Sequence, residues 1–432
     1  MTLRRTLISA AMLLVCSAPV LARQAPVPAD PGGGQVSEYR LPPDKLERAE
    51  GLYRTRNVLL IVETAYGFAL LTLVLSLRVS ARFRSFAERV SRRRVVQAAV
   101  FVPLLILTID VLSLPIGVYR QHLGLEYGLS VQSWPSWVWD WTKSELITLV
   151  LSTVLIWGFY GLLRRSPTRW WLWTWIACLP LIVLLVFVTP VLLEPLFNRF
   201  EPLVKTQPQL MAPIRSVLAR GGVEIPDARM FEMAASEKVT TYNAYVSGIG
   251  ASKRVVVWDN TARELTIPQT LFVFGHEMGH YVLDHIWKRL AFLSVALLLV
   301  FWLAYRTIGW VLARWGERWA VRAVTDWASL PALLLMVTLF TFVVQPCILA
   351  FIRYQEHQAD IYGLEVLHGL VPESSQVAAQ GFQKLGEKAY AYPTPNRFLV
   401  FWTYDHPDIA SRVRFALDYR PWDRGEANAF VK

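Results

Sequence analysis

The sequence predicts a mainly α-helical, multi-pass membrane protein: six spans preceded by a shorter signal-like segment, with a small β-sheet in the longest stretch between spans. Three observations lead there. The 432 residues are 54% hydrophobic with 18 Trp and a positive mean hydropathy, too apolar for an ordinary soluble surface. The excess falls in six blocks, at about 58–79, 96–118, 145–163, 170–194, 291–312 and 327–351, each near the roughly 20 residues a helix needs to cross a hydrocarbon core. The arginines gather in short loops between those blocks.

Taken in order, residues 1–22 put Arg4 and Arg5 ahead of an apolar stretch that ends in Val20, Leu21 and Ala22. They read as a signal peptide of bacterial export type or, if uncut, a signal anchor. Residues 23–57 read as a loop and 58–194 as four transmembrane helices. Within that group "ARFRSFAERVSRRR" is rich in arginine, and "RRSPTR" and "RWGERWAVR" follow at alternate turns of the chain, while 119–144 holds only Arg120 and Lys143. Short basic loops stay in the cytoplasm. Residues 23–57, 119–144, 195–290 and 352–432 are therefore expected on the outer, periplasmic side of a bacterial inner membrane. The net charge of +11 follows from this topology, so the lipid bilayer is the expected partner and nucleic acid is not. "WPSWVWDW" and "RWWLWTW" read as aromatic belts at the interface. Glu63 and Asp110 lie inside apolar blocks, where a charge facing lipid costs roughly 3 kcal/mol or more, so each is expected to face a polar interior. Cys16, Cys178 and Cys347 all lie in apolar runs, which suggests neither a disulfide framework nor a cysteine metal cluster.

Between the fourth and fifth blocks, residues 206–220 place Leu210, Ile214, Val217 and Leu218 on one helical face, and Gly221 and Gly222 end the pattern. "ARMFEMA", "TTYNAYVSG" and "KRVVVWDN" are β-prone and separated by turn residues, so a small sheet is expected there. Such a sheet could hold an extended peptide along an edge strand. It could equally be a structural meander.

The stretch "HEMGHYVLDH" at 276–285 brings together three of the chain's seven histidines and two carboxylates. Ahead of it Thr266 and Gln269 form a capping pattern with Pro268 in the first turn, so a helix should start there. His276 and His280, four apart, project from one face and can reach a single ion at roughly 2.0–2.1 Å. Glu277 stands one residue round, suited to taking a proton from water. No break is evident before 291, so this helix is expected to run on into the membrane, with the ion roughly 20 Å from the start of that block. The H-E-x-x-H pattern alone is moderately specific, and a zinc site needs a third protein ligand. Just past the last block, "RYQEHQADIYG" offers Glu356, with Asp360 one turn on. Two long helices side by side would bring Glu356 to the ion, giving a zincin-like set of His276, His280 and Glu356 around one Zn2+ per chain, with a fourth position open. Asp360 would orient a ligand histidine. His285 and His357 fall on other faces and read as packing or local hydrogen-bonding groups.

With these residues in view, the sequence resembles the integral-membrane zinc metallopeptidases of the type I CAAX prenyl endopeptidase family. The matching features are "HEMGH" with His285 after it, Glu356 and Asp360 in "RYQEHQAD", "YNAY" at 242–245 and "DHPDIASRV" at 405–413. "WWLWTWIACLPLIVLLVFVTPVLLEPLFNRFEPL" and "YRLPPDKLERAEGLYRTRN" extend the likeness to most of residues 39–417. The resemblance implies peptide-bond hydrolysis of protein or peptide substrates, with His276, His280 and Glu356 as zinc ligands and Glu277 as general base. It further implies that Asn243 holds the substrate backbone and that His406 steadies the developing oxyanion. Arg412 would either steady the oxyanion with His406 or, with Asp360, stand behind the ligands. His406 also has a plainer reading, as a helix-start histidine before Pro407. Two departures stand out. The family encloses an intramembrane chamber with seven spans, whereas six and a signal-like segment are found here. Its eukaryotic members also work on the cytosolic side, whereas the arginine loops put the 195–290 segment outside, where a farnesylated substrate is not expected.

Of three rivals, two belong to other classes. A membrane chaperone or scaffold with a structural zinc would have no use for Glu277 beside an open position. A quality-control protease of the related smaller heat-shock type would share the chemistry. A transporter would show internal repeats, and the sequence shows none. On this reading the chain divides into 1–22, 23–57, 58–194, a catalytic segment 195–290, two helices in 291–351, and a C-terminal catalytic segment 352–432.

Overall fold

A computed structural model describes residues 35–248 and 253–432. The signal-like segment 1–22 and Cys16 lie outside the described residues. The longer helices are α1 Pro43–Ser76, α2 Val79–Val90, α3 Arg94–Glu126, α4 Trp134–Arg165, α5 Trp170–Val188, α6 Pro208–Arg220, α7 Ile267–Val282, α8 His285–Trp315, α9 Leu330–Leu367, α10 Ser374–Lys388, α11 Arg397–Thr403 and α12 Ile409–Asp418.

All six apolar blocks lie in helices long and apolar enough to cross a membrane: α1, α3, α4, α5 with the two short turns that follow it to Phe197, α8, and Trp327–Leu367, which contains α9. Apolar side chains such as Ile61, Val150, Val295 and Val343 point outward and stay exposed, as a surface solvated by lipid requires. The helices outgrow the blocks. α1 takes in residues 43–57 of the segment read as a loop, starting at Pro43, where a missing N–H costs nothing, and running on through charged residues that favour helix.

At one end of the bundle the three arginine-rich loops meet. Arg84 pairs with Asp326, Arg322 with Glu88 at 3.0 Å, and Arg164 donates to the Thr325 carbonyl at 3.2 Å while lying over the Trp327 ring at 4.3 Å. Buried Glu63 of α1 is paired by Arg120 of α3, so its charge is compensated between helices. Asp110 is half-buried and lines a cavity of about 250 Å³ with Ser113, Gln132, Trp137, Asp140 and Ser144.

At the other end stands a lobe with its own core. Leu210, Ile214, Val217 and Leu218 of α6 are buried as their spacing predicts, against Phe274 and Met278 of α7 and Tyr362 and Val366 of α9. The sheet has four strands, β1 Phe200–Pro202, β2 Met230–Met233, β3 Ala244–Ser247 and β4 Arg254–Trp258, in the order β1-β2-β4-β3. β2 and β4 pair in parallel while both outer pairs are antiparallel, so a plain meander is excluded. β1 was not foreseen: its three residues are too few to show alternation.

One expectation fails here. The H-E-x-x-H helix does not run unbroken into the membrane: α7 stops at Val282, Asp284 adopts the left-handed conformation at φ 55°, and α8 starts afresh at His285. Aspartate is among the few residues other than glycine that visit this region, because its short side chain bonds locally.

Candidate active site

α7 begins where its sequence says. Thr266 accepts from the Gln269 amide at 3.4 Å, the Gln269 side chain accepts from the Thr266 amide at 3.1 Å, and Pro268 occupies the first turn. From this anchored start His276 and His280 project one turn apart.

What brings Glu356 to them is a close helix crossing. A Cβ on Gly275 would lie 2.9 Å from Val366 Cγ1, on Gly279 3.0 Å from Tyr362 Cβ, and on Gly363 3.1 Å from the His276 amide nitrogen. Three glycines thus let α7 and α9 approach more nearly than side chains allow, and one turn and more up α9 from Gly363 stand Asp360 and Glu356.

The atoms expected to hold the ion converge. His276 and His280 Nε2 are 3.3 Å apart, Glu356 Oε2 is 3.3 Å from His276 Nε2, and Glu356 Oε1 is 3.5 Å from His280 Nε2. Ligand atoms placed tetrahedrally at 2.0–2.1 Å from an ion are roughly 3.3–3.4 Å from one another. The side chains present therefore fit a small divalent cation. Among the described residues Glu356 Oε2 is buried and accepts no well-aligned hydrogen bond, although imidazole nitrogens surround it, as suits a carboxylate aimed at a cation.

Behind the ligands the supports are charged. Asp360 Oδ1 lies 2.8 Å from His276 Nδ1. Arg412 of α12 grips the same carboxylate with two bonds, Nε to Oδ2 at 2.9 Å and Nη2 to Oδ1 at 2.6 Å, and rests on Phe382. Its guanidinium is thereby engaged behind His276, and of the two places offered to Arg412 the geometry favours this one. Burial by itself would strip the proton from His276, but Asp360 and Glu356 outweigh it and raise its pKa to about 9.

His406 enters from the segment ahead of α12, half-buried, with Nε2 3.1 Å from Glu356 Oε2 and Nδ1 2.8 Å from Asp405 Oδ1. The plainer helix-start role falls to Asp408, which accepts from the Ser411 amide at 2.9 Å. Burial disfavours a charge on His406, yet the carboxylates of Glu356 and Asp405 hold its pKa well above the ordinary imidazole value. Glu277, which follows His276 on α7, is half-buried and accepts no hydrogen bond among the described residues. Asn243 stands at the start of edge strand β3, which packs against α7. Its N–H donates to Thr261 Oγ1 at 2.7 Å and its carbonyl accepts from the Trp258 amide at 3.1 Å, so its backbone is fixed. His357 packs on Phe415 as expected.

Sequence reasoning read His285 as a packing or local hydrogen-bonding group on another face, and it missed Gln358, Arg289 and Gln355. His285 Nδ1 is 2.9 Å from His280 Nδ1, Gln358 touches His285, Arg289 Nη2 lies 3.5 Å from Glu356 Oε1, and Gln355 joins Arg289 to the His285 carbonyl. Only the five-residue offset of His285 from His280 hinted at this. On an unbroken helix that offset points elsewhere.

Residues 205–420 match the family model described as Peptidase family M48. The chain belongs to peptidase family M48. Residues 22–199 match a second model of this membrane branch, described as CAAX prenyl protease N-terminal, five membrane helices. Among M48 relatives, the chain is 31% identical over 374 residues to YhfN, an uncharacterized metalloprotease of Bacillus subtilis, covering 87% of this chain and 86% of that one. It is 25% identical over 344 residues to CAAX prenyl protease 1 of Saccharomyces cerevisiae, covering 75% and 73%. The crystal structure of S. mikatae Ste24p shares the fold, with a TM-score of 0.73 at 22% identity over 88% of this chain and 92% of that one. This M48 protein is thus a membrane-embedded metalloendopeptidase, and its family implies a divalent metal and protein or peptide substrates.

Proposed function

We propose that this M48 protein is a zinc-dependent endopeptidase of the bacterial inner membrane that cuts unprenylated protein or peptide segments on the periplasmic face. Its ligands are His276, His280 and Glu356, and the observation that carries the reading is their 3.3–3.5 Å spacing. When bound, the ion supplies Lewis acidity to the scissile carbonyl and the attacking water.

The remaining work falls to this chain's own side chains. Asp360, itself held by Arg412, keeps the proton of His276 on Nδ1 and so leaves Nε2 free to bind. Glu277 takes the proton of the attacking water and passes it to the leaving amine. His406, held by Asp405 and kept protonated, donates to the carbonyl oxygen as negative charge develops. The edge strand β3, entered through Asn243, aligns an extended substrate beside α7. Residues 195–290 and 352–432 supply the two halves of this machinery.

Replacing Glu277 with Gln should leave zinc bound while hydrolysis of a peptide substrate falls by at least about a hundredfold. Proteolysis undiminished in that variant would rule the mechanism out and favour a structural metal.

A further inference from the structure

We infer that His285 is a positioning residue for the metal site: it accepts the Nδ1 proton of His280 and so fixes that ligand's tautomer and ring plane. The inference rests on the reading of His276, His280 and Glu356 as metal ligands. His280 turns Nε2 toward the other two, 3.3 Å from His276 Nε2 and 3.5 Å from Glu356 Oε1. Nε2 must therefore carry the lone pair and Nδ1 the proton.

Among the described residues that proton has one acceptor. His280 Nδ1 lies 2.9 Å from His285 Nδ1, and a pair of ring nitrogens bonds only if one donates and the other accepts. The far side of His285 decides which. Its Nε2 lies 3.2 Å from Gln358 Oε1, which can only accept, so the His285 proton is on Nε2 and its Nδ1 is the acceptor. Gln358 is oriented in turn by donating from Nε2 to the Tyr354 hydroxyl at 3.2 Å. The chain Tyr354, Gln358, His285, His280 is satisfied in one direction, and that direction leaves His280 Nε2 ready for a cation.

The geometry is held from both helices. His285 is buried at the first position of α8, swung back by the left-handed turn at Asp284, and its carbonyl accepts from Gln355 Nε2 of α9 at 3.2 Å. The two imidazole ligands are thus braced differently: His276 by the carboxylate of Asp360, His280 by a neutral imidazole on a membrane-spanning helix.

The test uses the full-length protein in detergent, loaded with Co2+ and followed by its visible absorption spectrum and by the rate of metal loss to a chelator. His285→Leu should shift the spectrum and speed metal loss roughly tenfold or more. His285→Asn, whose Oδ1 stands where Nδ1 stood, should restore both, and Gln358→Leu should fall between. His280→Ala should abolish the signal; wild type without signal, or His280→Ala with the wild-type signal, would refute the metal site itself. If the wild type binds and His280→Ala does not, yet His285→Leu and Gln358→Leu both match the wild type, the role of His285 is overturned. Should His285→Leu fail to fold, the half-buried Gln358→Leu alone decides, and wild-type behaviour there overturns the inference.

Discussion

His276 shows how much of the site's behaviour one side chain carries. It stands 2.8 Å from Asp360 and 3.3 Å from Glu356, and these carboxylates lift its pKa to about 9 against the effect of burial. At neutral pH the metal-free imidazole is therefore protonated, and an incoming cation must expel that proton. Calorimetry of zinc binding in buffers of different ionisation enthalpy should report at least about one proton released per ion near neutral pH. Affinity should rise with pH through about 9, as His276 loses its proton, and level off above it; a buffer-independent enthalpy at neutral pH would contradict this. The pair His276 and His280 was legible in the sequence because four-residue spacing is a property of any α-helix. The contact of His285 with His280 was not, because it exists only through the break at Asp284, and no side-chain pattern announces a single left-handed residue.

At the scale of elements, the site is made by the crossing of α7 and α9, and that crossing depends on Gly275, Gly279 and Gly363. Gly363→Ala would place a Cβ 3.1 Å from a backbone nitrogen of α7, which cannot step aside as a flexible side chain would. Overpacking of this kind costs about 1–3 kcal/mol. A lower melting temperature and reduced zinc retention are expected, whereas Gly158→Ala in α4, where a Cβ meets nothing within 4 Å, should lower neither. Equal effects of the two substitutions would mean that the close approach does not matter. The glycines were visible in the sequence but their use was not, since a helical glycine reads as a weak point until its partner helix is known. Periodicity found α6 and the cap at Thr266, both local features. It could not find the parallel pairing of β2 and β4 or the three residues of β1, which depend on contacts distant in sequence.

At the scale of the molecule, charge segregation and the site occupy opposite ends. Arg84, Arg164 and Arg322, one from each basic loop, tie α2, the end of α4 and the loop before α9 together at one end, while α7, α9 and the segment before α12 converge at the other. Reporter fusions after residues 88 and 200 should accordingly read cytoplasmic and periplasmic; the reverse would place the catalytic lobe in the cytosol. The six spans were legible because each is a long apolar run, while the partnership of Glu63 with Arg120 was not, because it joins two spans whose rotation no hydropathy pattern records. The most direct test of the whole arrangement is the zinc content of the purified full-length protein and its Glu356→Gln variant. The wild type should hold about one zinc per chain and the variant should lose most of it; a variant that keeps the full complement would show that α9 does not complete the site.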